Sequence, residues 1–153
     1  MITYVDTSVL LKLLVDDEVG AEAVERLWLE STYVVCAEIG YAEARAALAS
    51  MRRNDRLDAL AFRTAKAQLD SLWEQIDIVP VTTALIHAAA EVAEDDGLRG
   101  YDAVHLAAAI AAHATVVATA DAKLLETAQR RRFDVANPLE PAEPIDRPDA
   151  RRE

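Results

Sequence analysis

Met1-Ile-Thr-Tyr-Val-Asp6 decides the fold: a short, nearly continuous apolar run that stops at a carboxylate. Such a run, with no polar residue at alternate positions, reads as a strand covered on both faces, which is the condition of a parallel sheet. Thr115-Val-Val-Ala-Thr-Ala-Asp121 repeats the pattern near the far end of the chain. Both aspartates should therefore stand at the carboxyl ends of buried parallel strands, the edge at which open α/β sheets bind ligands.

Working outward, strand-like runs at about 2–5, 33–36, 76–81, 115–119 and 133–136 alternate with helical patterns. That alternation predicts an α/β fold: a single domain with a central parallel β-sheet flanked by helices on both faces. Helices are expected over Val9–Val15, Gly20–Glu30, about 38–53, Arg56–Glu74, about 82–95 and about 102–113. Asp95-Asp-Gly-Leu-Arg-Gly100 supplies a turn before the last of these. Pro80 near the end of the third strand implies an edge position, where a missing backbone donor is tolerated.

Two further acids fall on apolar helices. Glu43 lies in Tyr41-Ala-Glu-Ala-Arg, and Asp102 opens Tyr101-Asp-Ala-Val-His-Leu. Brought together with Asp6 and Asp121 in a dry site, the four would repel one another, and a divalent cation relieves that repulsion. Oxygen donors alone suit Mg²⁺, with Mn²⁺ as the alternative. Each acid also has a plainer reading. Asp6 and Asp121 can cap the helices that follow them, Asp102 can complement a helix dipole, and Glu43 can pair with a neighbour such as Arg45. Glu38, at the end of the second strand, competes with Glu43 for a place in the pocket. His105 lies one turn beyond Asp102 on the same helix face, where a supporting role fits better than metal ligation.

The chain has 153 residues, enough for one domain with a sizeable core, and 52% hydrophobic with 28% charged residues excludes a disordered class. Val9-Leu-Leu-Lys-Leu-Leu-Val15 is too short and too interrupted to span a bilayer, so no membrane association and a cytoplasmic location are expected. Cys36 is the single cysteine, which rules out an internal disulfide. A formal net charge of −11 opposes indiscriminate binding to nucleic acid. Local basic clusters at Arg45, Arg52 and Arg53 and at Arg130–Arg132 are either solvated faces or phosphate contacts. Residues 138–153, with prolines at 138, 141, 144 and 148 among charges, should form a loose tail after a domain spanning 1–137.

In this order and spacing, Val5-Asp-Thr-Ser8, Tyr41-Ala-Glu-Ala-Arg45, Tyr101-Asp-Ala-Val-His105 and Thr119-Ala-Asp-Ala-Lys-Leu124 resemble the four acidic motifs of PIN-domain nucleases. The likeness is closest to the VapC-type ribonuclease toxins of bacterial type II toxin–antitoxin pairs and covers most of residues 1–137. It implies that Asp6, Glu43, Asp102 and Asp121 form a catalytic metal pocket, with Ser8 and Thr119 beside it as hydrogen-bonding support. It further implies metal-dependent cleavage of RNA to a 5′-phosphate and a 3′-hydroxyl, a cognate antitoxin as partner, and a homodimer. Surplus apolar helix surface at Trp28, Trp73 and Ala107–Ala112 points to the same homodimer.

Two rival readings remain at this level. A non-catalytic partner-binding module would keep the fold without turnover, although all four acids are in place. Aspartyl phosphotransfer from Asp6 would call for a second acid two residues on, where the chain has Ser8.

Overall fold

The computed structural model describes residues 1–15 and 19–140. Ile2–Val5 forms β1, the central strand of a five-stranded sheet. Tyr33–Ala37 (β2) and Val116–Ala118 (β4) pair with it on either side, while Asp77–Val79 (β3) and Asp134–Ala136 (β5) form the edges. Every pairing is parallel, with Tyr4 opposite Val35 on one flank and Val117 on the other. The chain runs outward from β1 through β2 to β3, then returns past β1 to β4 and β5. The strand order therefore reverses between β1 and β4, which makes the crevice at their carboxyl ends the topological switch point.

Helices α1 (Thr7–Leu14), α2 (Ala21–Glu30), α3 (Ile39–Arg53) and α4 (Ala59–Trp73) serve the outward crossovers. Helices α5 (Thr83–Asp96) and α6 (Gly100–Ala111) carry the chain back, and α7 (Ala122–Arg130) joins the last two strands. Right-handed crossovers that advance in opposite directions lie on opposite faces of a sheet. The core follows suit. Tyr4, Val35, Ala37 and Val117 pack with Leu85, Val92, Leu106 and Leu124 of α5, α6 and α7. Val5, Val34, Cys36 and Ala118, their alternates along the strands, pack with Val9, Leu10 and Val24 of α1 and α2. A third cluster of Leu14, Ala44, Leu48 and Leu69 ties α3 and α4 to α1.

Element ends have local causes. The Asp58 carboxylate accepts from the Ala61 amide at 2.7 Å, so α4 starts at Ala59 rather than at Arg56 as the periodicity suggests. β3 stops at Val79 because Pro80 has no N–H to continue the ladder, and the strand lies at the sheet edge as its proline implies. Gly97 closes α5 in the left-handed region at φ 65°, whereas Gly100 belongs to the first turn of α6 instead of the connecting turn. Gly40 allows α3 to lie tight on β2, since a Cβ there would stand 2.6 Å from the Cys36 sulfur.

The Ala107–Ala109 run is buried inside α6, and Trp28 and Trp73 are partly buried against the core under α1 and α2. Ala107–Ala109 and most of Trp73 are thus used within the fold, whereas Trp28 and the exposed Ile110 still present apolar surface. Pro138, the first residue assigned to the tail, is buried with its carbonyl against Gly20; residues 141–153 lie outside the described residues. Among the described residues, no helix is long and apolar enough to cross a membrane.

Candidate active site

Asp6 leaves the end of β1 in the extended conformation and caps α1, its Oδ1 accepting from the Val9 amide at 3.2 Å. Asp121 does the same at the end of β4, accepting from the Leu124 amide at 2.8 Å to cap α7. The capping reading of both aspartates is thus correct, and it leaves acceptor capacity over. Two hydroxyls stitch these loops together across the switch point. Ser8 Oγ donates to Asp6 Oδ1 at 2.5 Å and accepts from the Ala120 amide at 3.0 Å. Thr119 Oγ1 donates to Asp6 Oδ2 at 2.5 Å and accepts from the Asp121 amide at 3.0 Å. Of the roughly four lone-pair directions of the Asp6 carboxylate, these bonds take three, and the open one belongs to Oδ2.

Glu43 reaches the same region from the first half of α3. Its Oε1 receives the Thr7 hydroxyl at 3.1 Å and His105 Nε2 at 2.5 Å, which leaves Oε2 open. The other ring nitrogen of His105 lies 2.5 Å from the hydroxyl of Tyr4, which in turn accepts from the Ala37 amide at 3.1 Å. Asp102, in the first turn of α6, stands 3.8 Å from the Nε of Arg99 at that helix's N-cap.

Charge couples Asp102 to Asp121 and Glu43, and His105 acts on Asp6, Glu43 and Asp102 alike. Burial pushes the Asp6 carboxyl above its ordinary value, against the hydrogen bonds from Ser8 and Thr119. Burial also raises Asp102, and the charges of Asp121 and then Glu43 raise it further, with Arg99 and His105 opposing. For Glu43 burial acts upward, but the hydrogen bond and charge of His105, with the Thr7 hydroxyl, outweigh it and hold the carboxyl below its usual value. The Cys36 thiol nearby is pushed up by burial and by the charges of Asp6 and Glu43, so it is an inert, buried group.

As posed, no three His, Cys, Asp or Glu side chains among the described residues converge closely enough to grip one bare ion. The donor set is nevertheless all oxygen, with open acceptor sites on Asp6 and Glu43 and mutual repulsion that a cation relieves. Mg²⁺ commonly keeps several waters and uses one or two carboxylates, and Asp6 and Glu43 are the two acids whose hydrogen bonds leave an oxygen direction open.

A family model described as PIN domain matches residues 3–130. The chain belongs to the PIN domain family. Its relatives include ribonuclease VapC45 of Mycobacterium tuberculosis (strain CDC 1551 / Oshkosh), 34% identical over 110 residues that cover 72% of this chain and 76% of that protein. Among solved structures, M. tuberculosis VapC20, described as a sarcin-ricin loop cleaving toxin, superposes with a TM-score of 0.64 at 20% identity, covering 86% of this chain and 95% of that one. A toxin–antitoxin complex from Klebsiella pneumoniae superposes with a TM-score of 0.63 at 15% identity, covering 89% of this chain and 97% of that one. The PIN domain described here is thus similar in sequence to VapC-type members and shares its fold with them.

Within this PIN domain, Glu38 is exposed at the start of α3 and takes no part in the network around Asp6 and Glu43. His105 is 3% exposed and engages partners through both ring nitrogens, consistent with the supporting role expected of it. Tyr4 and Thr7 are the participants that sequence reading passed over. Tyr4 had a usable signal, because a tyrosine inside a buried strand must find a partner for its hydroxyl. Of the basic clusters, Arg131 is committed to Asp96 at 2.7 Å and Arg45 to the Tyr41 hydroxyl at 2.9 Å, while Arg52 and Arg53 are exposed.

Proposed function

We propose that this chain is a metal-dependent endoribonuclease and the toxin of a type II toxin–antitoxin pair, with Asp6, Glu43, Asp102 and Asp121 as its catalytic acids and Mg²⁺, or Mn²⁺, as cofactor. The observation that supports the reading is the stitched pair of loops at the switch point, where Ser8 and Thr119 tie Asp6 to the loop that carries Asp121. The ribonuclease named among the relatives supports RNA as substrate.

When bound, the cation lowers the pKa of a water and offsets charge on the scissile phosphodiester. The chain's own residues do the rest. Asp6, fixed by two hydroxyls and an amide, offers one oxygen direction toward the site. Glu43 presents Oε2, because Oε1 is held by Thr7 and His105. Asp102 and Asp121 add the negative charge that draws a cation in. Arg99, whose side chain is 86% exposed, places a guanidinium at the rim where an RNA phosphate can meet it.

The antitoxin reading has its own support. An apolar groove of about 620 Å³ lies between α2 and α4, lined by Leu13, Trp28, Leu29, Ala67 and Leu72. Its apolar floor, with Glu25, Gln68 and Gln75 also in the lining, suits an amphipathic helix. A homodimer through the exposed Ile86 and Tyr101 of α5 and α6 completes the proposal, and light scattering at micromolar concentration tests it.

The purified chain should cleave RNA with Mg²⁺ or Mn²⁺, lose cleavage in EDTA, and lose it in the Asp6→Asn variant. Full activity of that variant removes Asp6 from the mechanism. Absence of any metal-dependent cleavage by the wild type favours the non-catalytic, partner-binding reading instead.

A further inference from the structure

The Tyr4 hydroxyl is fully buried and already accepts the Ala37 N–H, so its own proton needs an acceptor. Among the described residues, the group in reach is His105 Nδ1 at 2.5 Å. Nδ1 is then the accepting nitrogen, and the ring hydrogen sits on Nε2, 2.5 Å from Glu43 Oε1. The opposite tautomer sets a ring N–H against a hydroxyl whose proton has no acceptor, and a lone pair against a carboxylate. With Nε2 protonated every group is satisfied, in keeping with the absence of unpartnered buried side-chain polar atoms among the described residues.

We infer that His105 is a positioning residue for Glu43, and that Tyr4 fixes the tautomer in which it does so. The inference rests on the reading of Glu43 as part of a metal-holding site. The relay runs from the β2 backbone through β1 and α6 to α3, so it ties the sheet to the one acid carried on a long, flexible side chain. Asp6 and Asp121 are fixed by their own caps, whereas Glu43 sits mid-helix with no backbone amide to hold it. His105 and Thr7 together occupy Oε1, and Oε2 becomes the oxygen presented to a cation. Groups that orient a metal ligand in this way commonly change affinity when removed.

Packing alone is the competing account, since the Tyr4 and His105 rings also meet edge-on at 5.8 Å. The variants His105→Gln and His105→Asn separate the two. A glutamine amide reaches the position of Nε2, whereas an asparagine amide reaches only that of Nδ1. Mn²⁺ titrated into the purified chain and followed by electron paramagnetic resonance should bind His105→Gln close to wild-type affinity and His105→Asn about tenfold more weakly. Nitrogen-15 NMR of the metal-free wild type should show the hydrogen on Nε2, and Tyr4→Phe should shift the ring toward a mixture of tautomers. Equal Mn²⁺ affinity of the Gln and Asn variants overturns the positioning role while leaving the metal site standing. A hydrogen on Nδ1 in the wild type overturns the relay even if neither His105 variant folds. A wild type that binds no Mn²⁺ overturns the metal-site reading and this inference with it.

Discussion

Asp6 serves the fold and the site with one carboxylate, and the two roles pull in opposite directions. Its bonds to Ser8, Thr119 and the Val9 amide organise the switch point, yet burial of the charge raises its pKa above the ordinary carboxylate value. A raised folded pKa means that the folded state binds the proton more tightly than the unfolded chain. Stability contributed by Asp6 is therefore present at low pH and declines as pH rises from the ordinary carboxylate value through the folded one. In EDTA, the Asp6→Asn variant should lose this decline and melt no lower than wild type at neutral pH. Melting curves across the acidic range check it, and a variant that keeps the wild-type slope and melts well below it removes burial as the dominant effect. The neighbouring hydroxyl acts the other way. Thr119→Val strands Asp6 Oδ2 and the Asp121 amide, and should cost about 1–3 kcal/mol in urea unfolding, as expected for buried polar groups left unpaired.

At the scale of elements, the position of Glu43 depends on how closely α3 lies on β2. Gly40, one turn before Glu43, leaves no room for a side chain because the Cys36 sulfur occupies the space at 2.6 Å from a would-be Cβ. Gly40→Ala should destabilise the domain by about 1–3 kcal/mol through overpacking. Adding Cys36→Ala empties the contested volume, so the double variant should recover most of the loss. A double-mutant cycle from denaturant unfolding measures that coupling, and additive effects refute the contact as its cause. Cleavage by Gly40→Ala should fall as well, since a displaced α3 carries Glu43 away from His105.

For the whole molecule, the acids and the apolar groove lie on separate parts of the domain, so cleavage and inhibition should be separable. Leu29 lines the groove and is 87% exposed, which allows its replacement without disturbing the core. Leu29→Asp should cleave RNA as the wild type does, while co-expression of the cognate antitoxin should no longer relieve growth arrest. Loss of cleavage together with loss of inhibition contradicts that separation. The charge of −11 belongs to this scale too, because its field opposes any polyanion, and under the proposed function exposed groups such as Arg99 would have to supply the local phosphate contacts.

The apolar runs ending at Asp6 and Asp121 were enough to place two parallel strands and their carboxylates at one edge, because burial on both faces leaves a local signature in the chain. Ser8 and Thr119 were legible for the same reason, each within two residues of an acid it serves. Glu43 and Asp102 stood out as acids among apolar neighbours, but periodicity alone could not rank Glu43 above Glu38; that distinction came with the resemblance and then with the contacts of α3. The sheet order, the Tyr4–His105–Glu43 relay and the meeting of Gly40 with Cys36 join residues far apart in the chain, 101 positions in the case of Tyr4 and His105, or depend on how a helix settles on a strand. Such pairings are products of packing. The sequence determined which residues are buried and which strands end in acids, and the tertiary structure decided which hydroxyl and which ring nitrogen each acid meets.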